Sequence, residues 1–245
     1  LASAALMGGV VKLSERRAAF VSSVTHELRT PLTTFHLYSD MLAEGMVKEE
    51  SRQKEYLTTM RREAERLNHL VENVLSYSRV ERGSARAEHQ KITLQGLVDR
   101  MLPRLKERVR KDGAELEVIL TQVEEAQVDT DLTAVEQIVF NLVDNACKYG
   151  LPEEGARVIR LRASNGGRLA RIEICDGGSG IARSDVKKLF RPFHKSARDA
   201  AHSKPGVGLG LALCKRLARE IGGDLTLDDR EAEGACFVLE LPAVG

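Results

Sequence analysis

His26 and Glu27 stand side by side in the run Phe20-Val-Ser-Ser-Val-Thr-His26-Glu27-Leu-Arg29-Thr30-Pro31-Leu32. An exposed, unprotonated imidazole nitrogen can attack phosphorus, and an adjacent carboxylate can orient the ring and take its proton. Val24, Leu28 and Leu32 recur at helical spacing and are expected to face inward, leaving His26, Glu27 and Thr30 on the outer face. Pro31 cannot donate its backbone hydrogen bond, so the helix should kink and loosen just past the histidine. By themselves these residues describe a surface histidine in a kinked helix equally well. The remaining histidines, His36, His69, His89, His194 and His202, show no metal-ligand spacing.

A second set of polar residues lies further along. Asn141 and Asn145 are four apart, hence on one helix face, with Lys148 about a turn beyond. Carboxamides can ligate Mg²⁺ or bind phosphate oxygens while an ammonium neutralises charge, although a solvated helix face has the same composition. Asp176-Gly-Gly178-Ser-Gly180 follows an apolar strand pattern. A buried carboxylate there can accept a hydrogen bond from the exocyclic amine of adenine, and the glycines let backbone approach the ring; a plain turn would also use them. Gly206-Val-Gly208-Leu-Gly210 then leads into a helix whose free amides and dipole attract phosphate, a weak signal when taken singly.

The elements that must position these residues follow from periodicity. Leu13, Phe20, Val24, Leu28, Leu32, Phe35 and Leu42 form one helical stripe, and Tyr56, Met60, Ala64, Leu67, Val71, Val74 and Ser78 form another. The short connection near Gly45 makes them antiparallel. Two helices alone bury too little apolar surface, so the hairpin is expected to pair with a second copy as a four-helix bundle. Glu81 to His89 is polar and reads as a linker. Beyond it, strands are expected at Ile92–Leu94, Leu116–Leu120, Val158–Ala163, Arg168–Cys175, Asp224–Leu227 and Cys236–Leu241, and helices at Leu97–Val109, Asp131–Tyr149 and Gly208–Ile221. That order gives an α+β two-layer sandwich over a mixed, largely antiparallel sheet. The expected division is residues 1–12 as the end of an upstream helix or linker, 13–80 as the dimerisation unit, 81–89 as linker and 90–245 as the sandwich.

Composition bounds the partners. Lys and Arg number 37 against 36 Asp and Glu in 245 residues, so no general field draws the chain to nucleic acid. Cys147, Cys175, Cys214 and Cys236 are widely spaced within apolar runs and read as reduced core thiols in a cytoplasmic setting. The apolar stretch Leu1 to Leu13 is shorter than the about 20 residues a membrane helix needs. It reads as the end of a longer upstream helix, with a membrane-anchored sensor as a candidate for what precedes it.

The run around His26 resembles the H-box of sensor histidine kinases of the dimerisation and phosphotransfer type. The asparagine helix, Asp176-x-Gly178-x-Gly180, the pair Phe190 and Phe193, and Gly206-x-Gly208-x-Gly210 occur in succession, similar to the N, G1, F and G2 boxes of the ATP-binding domains of those kinases. The wider group with this Bergerat-type fold includes heat-shock protein 90 and DNA gyrase. The resemblance implies that His26 is phosphorylated by ATP, with Glu27 as general base, and that Thr30 positions water for dephosphorylating a partner response regulator. It further implies Asn141 as a Mg²⁺ ligand and Asn145 on metal or phosphate. Lys148 would hold phosphate, Tyr149 would flank adenine and Asp176 would read its amine. His194 to Pro205 resembles the ATP lid, and Lys195 falls where the family has a basic residue near the γ-phosphate. Gly177 and Gly150 depart from the usual asparagine and threonine. Two rivals are an ATPase clamp, which needs a carboxylate where Asn141 stands, and a non-catalytic dimeric scaffold.

Overall fold

The computed structural model describes residues 22, 24, 25, 27–81, 88–152, 155–192, 194, 208–228 and 234–244. They fall into two compact units.

The first is a helical hairpin. Helix α1 covers 27–43 and helix α2 runs from Glu50 to Glu81. Gly45, at φ 66°, stops α1: its amide donates to the Leu42 carbonyl and that of Met46 to Met41. This paired closure suits glycine because a Cβ disfavours the left-handed conformation. Tyr38 and Tyr56 stack across the hairpin with ring centroids 4.3 Å apart. Leu32, expected on the inward stripe, is 55% exposed in the single hairpin, and Leu37, Leu57 and Leu75 are exposed as well. Two helices have one mutual seam, so the remaining apolar faces have nothing within the hairpin to bury them.

The second unit is built on a seven-stranded sheet in which β2 (Glu115–Thr121) and β4 (Val158–Asn165) pair in parallel and all other pairs are antiparallel. Strand β1 (His89–Thr93) pairs with β3 (Gln127–Asp131), β5 (Leu169–Cys175) lies between β4 and β7 (Cys236–Val244), and β6 (Asp224–Asp228) pairs with β7. Helices α3 (Leu94–Lys111) and α4 (Leu132–Tyr149), short α5 (Arg183–Val186) and α6 (Gly210–Glu220) complete it.

Strand alternation makes the two sheet faces different. Ile159, Leu161, Ile172, Ile174, Leu239 and Leu241 are buried in the core with Ile138, Leu142 and Leu213 of the helices. Truncating such a side chain to alanine costs about 2–5 kcal/mol. The other face carries cross-strand ion pairs, Arg162 with Glu173 and Arg171 with Glu240.

Several local expectations change. Strand β3 was not anticipated, because Gln-Val-Asp-Thr-Asp is short and polar, and it uses two residues read as helix or linker: Asp131 ends β3 and caps α4, while His89 opens β1. Leu94 begins α3 rather than ending β1, since the Thr93 hydroxyl accepts the Gly96 amide as an N-cap. Cys175 and Cys236, read as separate reduced thiols, are joined by a disulfide. Sixty-one residues separate them, and only the β5–β7 register brings them opposite one another. Cys147 and Cys214 are free and buried. Among the described residues no helix is long and apolar enough to cross a membrane.

Candidate nucleotide and phosphoacceptor sites

Helix α4 carries the asparagine face. Its first turn is fixed by the Asp131 carboxylate, which accepts the Ala134 amide at 3.0 Å. Asn141 and Asn145 are half-buried while their neighbours Leu142, Val143 and Ala146 enter the core. The Asn141 side chain lies against the Cys214 thiol of α6, and its buried Nδ2 has no hydrogen-bond partner among the described residues. A buried polar group left unpaired costs about 1–3 kcal/mol, so a ligand that engages it is favoured. With the carboxamide turned over, the same position presents oxygen to a cation, so the residue fits Mg²⁺.

Lys148 is not a free cation. Its Nζ is 2.5 Å from Asp144 Oδ2, and Asp144 Oδ1 accepts Arg108 Nε at 2.9 Å. Burial raises the Asp144 carboxyl, but Lys148 and Arg108 together bring it below the ordinary range. Asp144 and Arg108, absent from the sequence reading, therefore set where the ammonium stands. Arg108 comes from α3, 36 residues away, which is why spacing along α4 does not reveal it.

Helix α4 ends at Tyr149 and Gly150, directly against Asp176. A Cβ on Gly150 would lie 2.2 Å from Asp176 Cγ, and one on Gly178 would lie 2.8 Å from Gly150 Cα. Glycine at 150, seen in the sequence as a departure from threonine, is what admits the carboxylate in this chain. Asp176 is 9% exposed. Its Oδ1 accepts the amides of Gly178 and Ala235, both at 3.0 Å, and no described residue is bonded to Oδ2. Burial raises the carboxyl above its usual range, opposed by the Ala235 and Gly178 amides. The backbone behind it is equally tight: a Cβ at Gly234, φ 79°, would meet the Asp176 carbonyl at 1.9 Å, and one at Gly180, φ 69°, would meet Gly234 O at 2.9 Å. Gly234 and Ala235 escaped the sequence reading because only β-sheet pairing connects them to Asp176.

Phe190 packs edge-on against Phe237, and the Lys215 ammonium lies 5.2 Å from the Phe190 ring centre. Lys215 is itself held by Asp224 and the Leu225 carbonyl. Gly210 begins α6. Gly208, at φ 69°, sits where a Cβ would meet the His194 carbonyl at 2.7 Å. Phe193, Lys195, Gly206 and the rest of the expected lid between His194 and Pro205 lie outside the described residues, as does His26.

In the hairpin, Glu27 departs from the expected outer face. Its side chain is 13% exposed and turned toward α2, where Arg66 Nη2 meets Glu27 Oε2 at 3.1 Å; Arg66 also binds Glu63 at 3.3 Å. Thr30 is exposed as expected. Helix α1 runs unbroken through Pro31, and the Thr33 and Thr34 hydroxyls donate to the carbonyls of Arg29 and Thr30.

The sequence matches the His Kinase A (phospho-acceptor) domain over residues 16–83 and the histidine kinase-, DNA gyrase B- and HSP90-like ATPase over residues 130–245. Sensor protein SrrB of Staphylococcus aureus strain N315 is 28% identical over 230 residues, which are 94% of this chain and 39% of SrrB. The chain thus spans about two fifths of the length of that relative. Full-length ShkA, solved in complex with AMPPNP, is 27% identical, with a TM-score of 0.62 over 93% of this chain and 46% of ShkA. ThkA in complex with the response regulator protein TrrA shares the fold, at 23% identity and a TM-score of 0.68 over 94% of this chain and 64% of that one.

Fold and sequence together define a phosphoacceptor helical domain followed by a GHKL-type ATPase domain. The chain belongs to the sensor histidine kinase family, of which it carries these two domains.

Proposed function

We propose that this chain binds ATP, transfers its γ-phosphoryl group to His26 and passes it on to an aspartate of a response regulator. The observation that carries the reading is the buried Asp176 carboxylate: Oδ1 is committed to two backbone amides, and Oδ2 is available for the adenine amine. Tyr149 flanks the base, with Gly178 and Gly180 allowing close approach. Asn141, Asn145 and Lys148 hold metal and phosphate, and the resemblance adds Phe190, Phe193, Lys195, Gly206, Gly208 and Gly210 to the nucleotide-binding set. Mg²⁺ ligated through Asn141 would neutralise phosphate charge. Positioning and charge neutralisation supply most of the catalysis in such a transfer.

At the acceptor, Glu27 orients the His26 ring and takes its proton. Arg66 holds the Glu27 carboxylate in place. Thr30 positions water for dephosphorylation of the regulator. ThkA, which has this fold, is solved with a response regulator, in keeping with such a partner here. The exposed Leu32, Leu37, Leu57 and Leu75 support a homodimer in which a second hairpin covers them. Residues 13–80 form that dimerisation unit, 81–89 the linker and 90–245 the catalytic unit, operating in the cytoplasm.

Incubation with Mg²⁺ and γ-labelled ATP, beside His26→Ala and Asn145→Ala variants, tests the reading. Acid-labile, base-stable label on the parent and on neither variant is expected. Label that survives His26→Ala would move the acceptor elsewhere, and ATP binding without label would favour a scaffold.

A further inference from the structure

The sulfurs of Cys175 and Cys236 join β5 to β7 one residue away from the groups that hold the Asp176 carboxylate. Asp176 follows Cys175, and Ala235, whose amide holds Asp176 Oδ1, precedes Cys236. The Asp176 amide also donates to the Ala235 carbonyl at 2.9 Å. Residues 176 and 235 therefore form the hydrogen-bonded rung, and the cysteines occupy the adjacent rung, where antiparallel strands approach most closely. Their Cα atoms are 4.0 Å apart.

We infer that Cys175 and Cys236 form a thiol–disulfide exchange site whose oxidation state sets the affinity of the Asp176 pocket for nucleotide. The inference rests on the proposed role of Asp176 in reading adenine. A small-molecule disulfide such as oxidised glutathione is the co-reactant. One cysteine thiolate attacks it, releasing one glutathione and forming a mixed disulfide; the second thiolate displaces the other glutathione. Two protein thiols thereby lose two electrons and two protons, and the small disulfide gains both.

Two observations make the pair suited to this. Both cysteines are buried in the last pair of the β5–β7 ladder, with the Asp176–Ala235 closure next to them, so exchange requires that closure and the strand ends to part. Gly234 and Gly180 leave no spare room behind Asp176, so movement of this strand end is transmitted to the carboxylate. The bond holds the pocket in its described geometry, and its reduction lets the two strand ends relax. Linkage requires the reciprocal effect: nucleotide must shift the redox equilibrium by the same factor.

The test uses the full chain, equilibrated with either oxidised or reduced glutathione. Alkylation and intact mass count the thiols, and calorimetry measures ATP affinity. A Cys236→Ser variant and an Asp176→Ala variant are carried alongside. The expected result is a Cys175–Cys236 bond in the oxidised sample, ATP affinity about fivefold weaker on reduction, and no redox response in Cys236→Ser. Equal ATP affinity in bonded and reduced samples would overturn this inference and leave the ATP reading intact. Failure of the bond to form under oxidised glutathione would also overturn it. Absence of ATP binding in both states, or full binding by Asp176→Ala, would instead remove the reading of Asp176 on which it rests.

Discussion

Asp176 and Ala235 grip each other twice: the Asp176 amide donates to the Ala235 carbonyl at 2.9 Å, and the Ala235 amide donates to Asp176 Oδ1 at 3.0 Å. The carboxylate is thus part of the sheet's own hydrogen bonding. It cannot turn toward solvent without breaking the β5–β7 closure.

That fixed carboxylate is costly in the free protein. Its pKa is raised, so the folded state takes up a proton more readily than the unfolded chain. The stability this group contributes is present below the ordinary carboxylate range and is lost as pH rises through the folded value. Asp176→Asn keeps an oxygen for the Gly178 and Ala235 amides. The melting temperature is expected to stay level or rise at pH 7, while ATP affinity falls about 10–100-fold. Calorimetry beside thermal unfolding measures both.

Gly150→Ala isolates the contact between α4 and Asp176. Its φ of −105° is open to any residue, so the effect comes from the Cβ alone, 2.2 Å from Asp176 Cγ. A loss of about 1–3 kcal/mol is expected in urea unfolding, together with weakened nucleotide binding. Gly177→Ala, where a Cβ meets nothing within 4 Å, should cost far less.

The Arg108, Asp144 and Lys148 cluster gives an acid signature. The Asp144 pKa is lowered, so its stabilisation is present above the ordinary carboxylate range and is lost as pH falls through the folded value. Asp144→Asn should cost about 1–2 kcal/mol at pH 7, allowing for partial exposure of the partners. The difference from the parent should shrink toward pH 2, as read by unfolding curves across that range.

The free thiols give a signature in base. Burial pushes Cys147 up to about 11 and Cys214 to about 12, from an ordinary 9.0. The stabilisation is full below pH 9 and is lost as pH rises through those values. Urea midpoints should therefore decline above pH 9, less steeply in Cys214→Ala. At pH 8 both thiols should resist iodoacetamide in the native protein, as thiolate is the reactive form.

The hairpin's apolar faces give an assembly prediction. Placing Asp at Leu32 and Leu75, 55% and 54% exposed here, should leave the α/β unit folded and shift the chain to monomer. Sedimentation equilibrium reads the state, and unchanged ATP affinity would show that the catalytic unit is intact.

The long helices, most strands and the asparagine face of α4 were legible in the sequence because each is a local pattern: a helical stripe, an alternation, a pair of residues four apart. The same holds for the H-box and the glycine strings, whose order along the chain identified the family. Pairing between distant segments left no such trace. Strand β3 exists because a short polar segment finds β1 and the end of β7 beside it. Glu27 turns from solvent because Arg66 waits on the second helix. Likewise, Ala235 holds Asp176, Arg108 anchors Asp144, and Cys175 meets Cys236 only once the chain has closed its sheet. Local sequence fixes side-chain type and period; which remote group completes each buried charge or thiol depends on register and packing, set only by the folded whole.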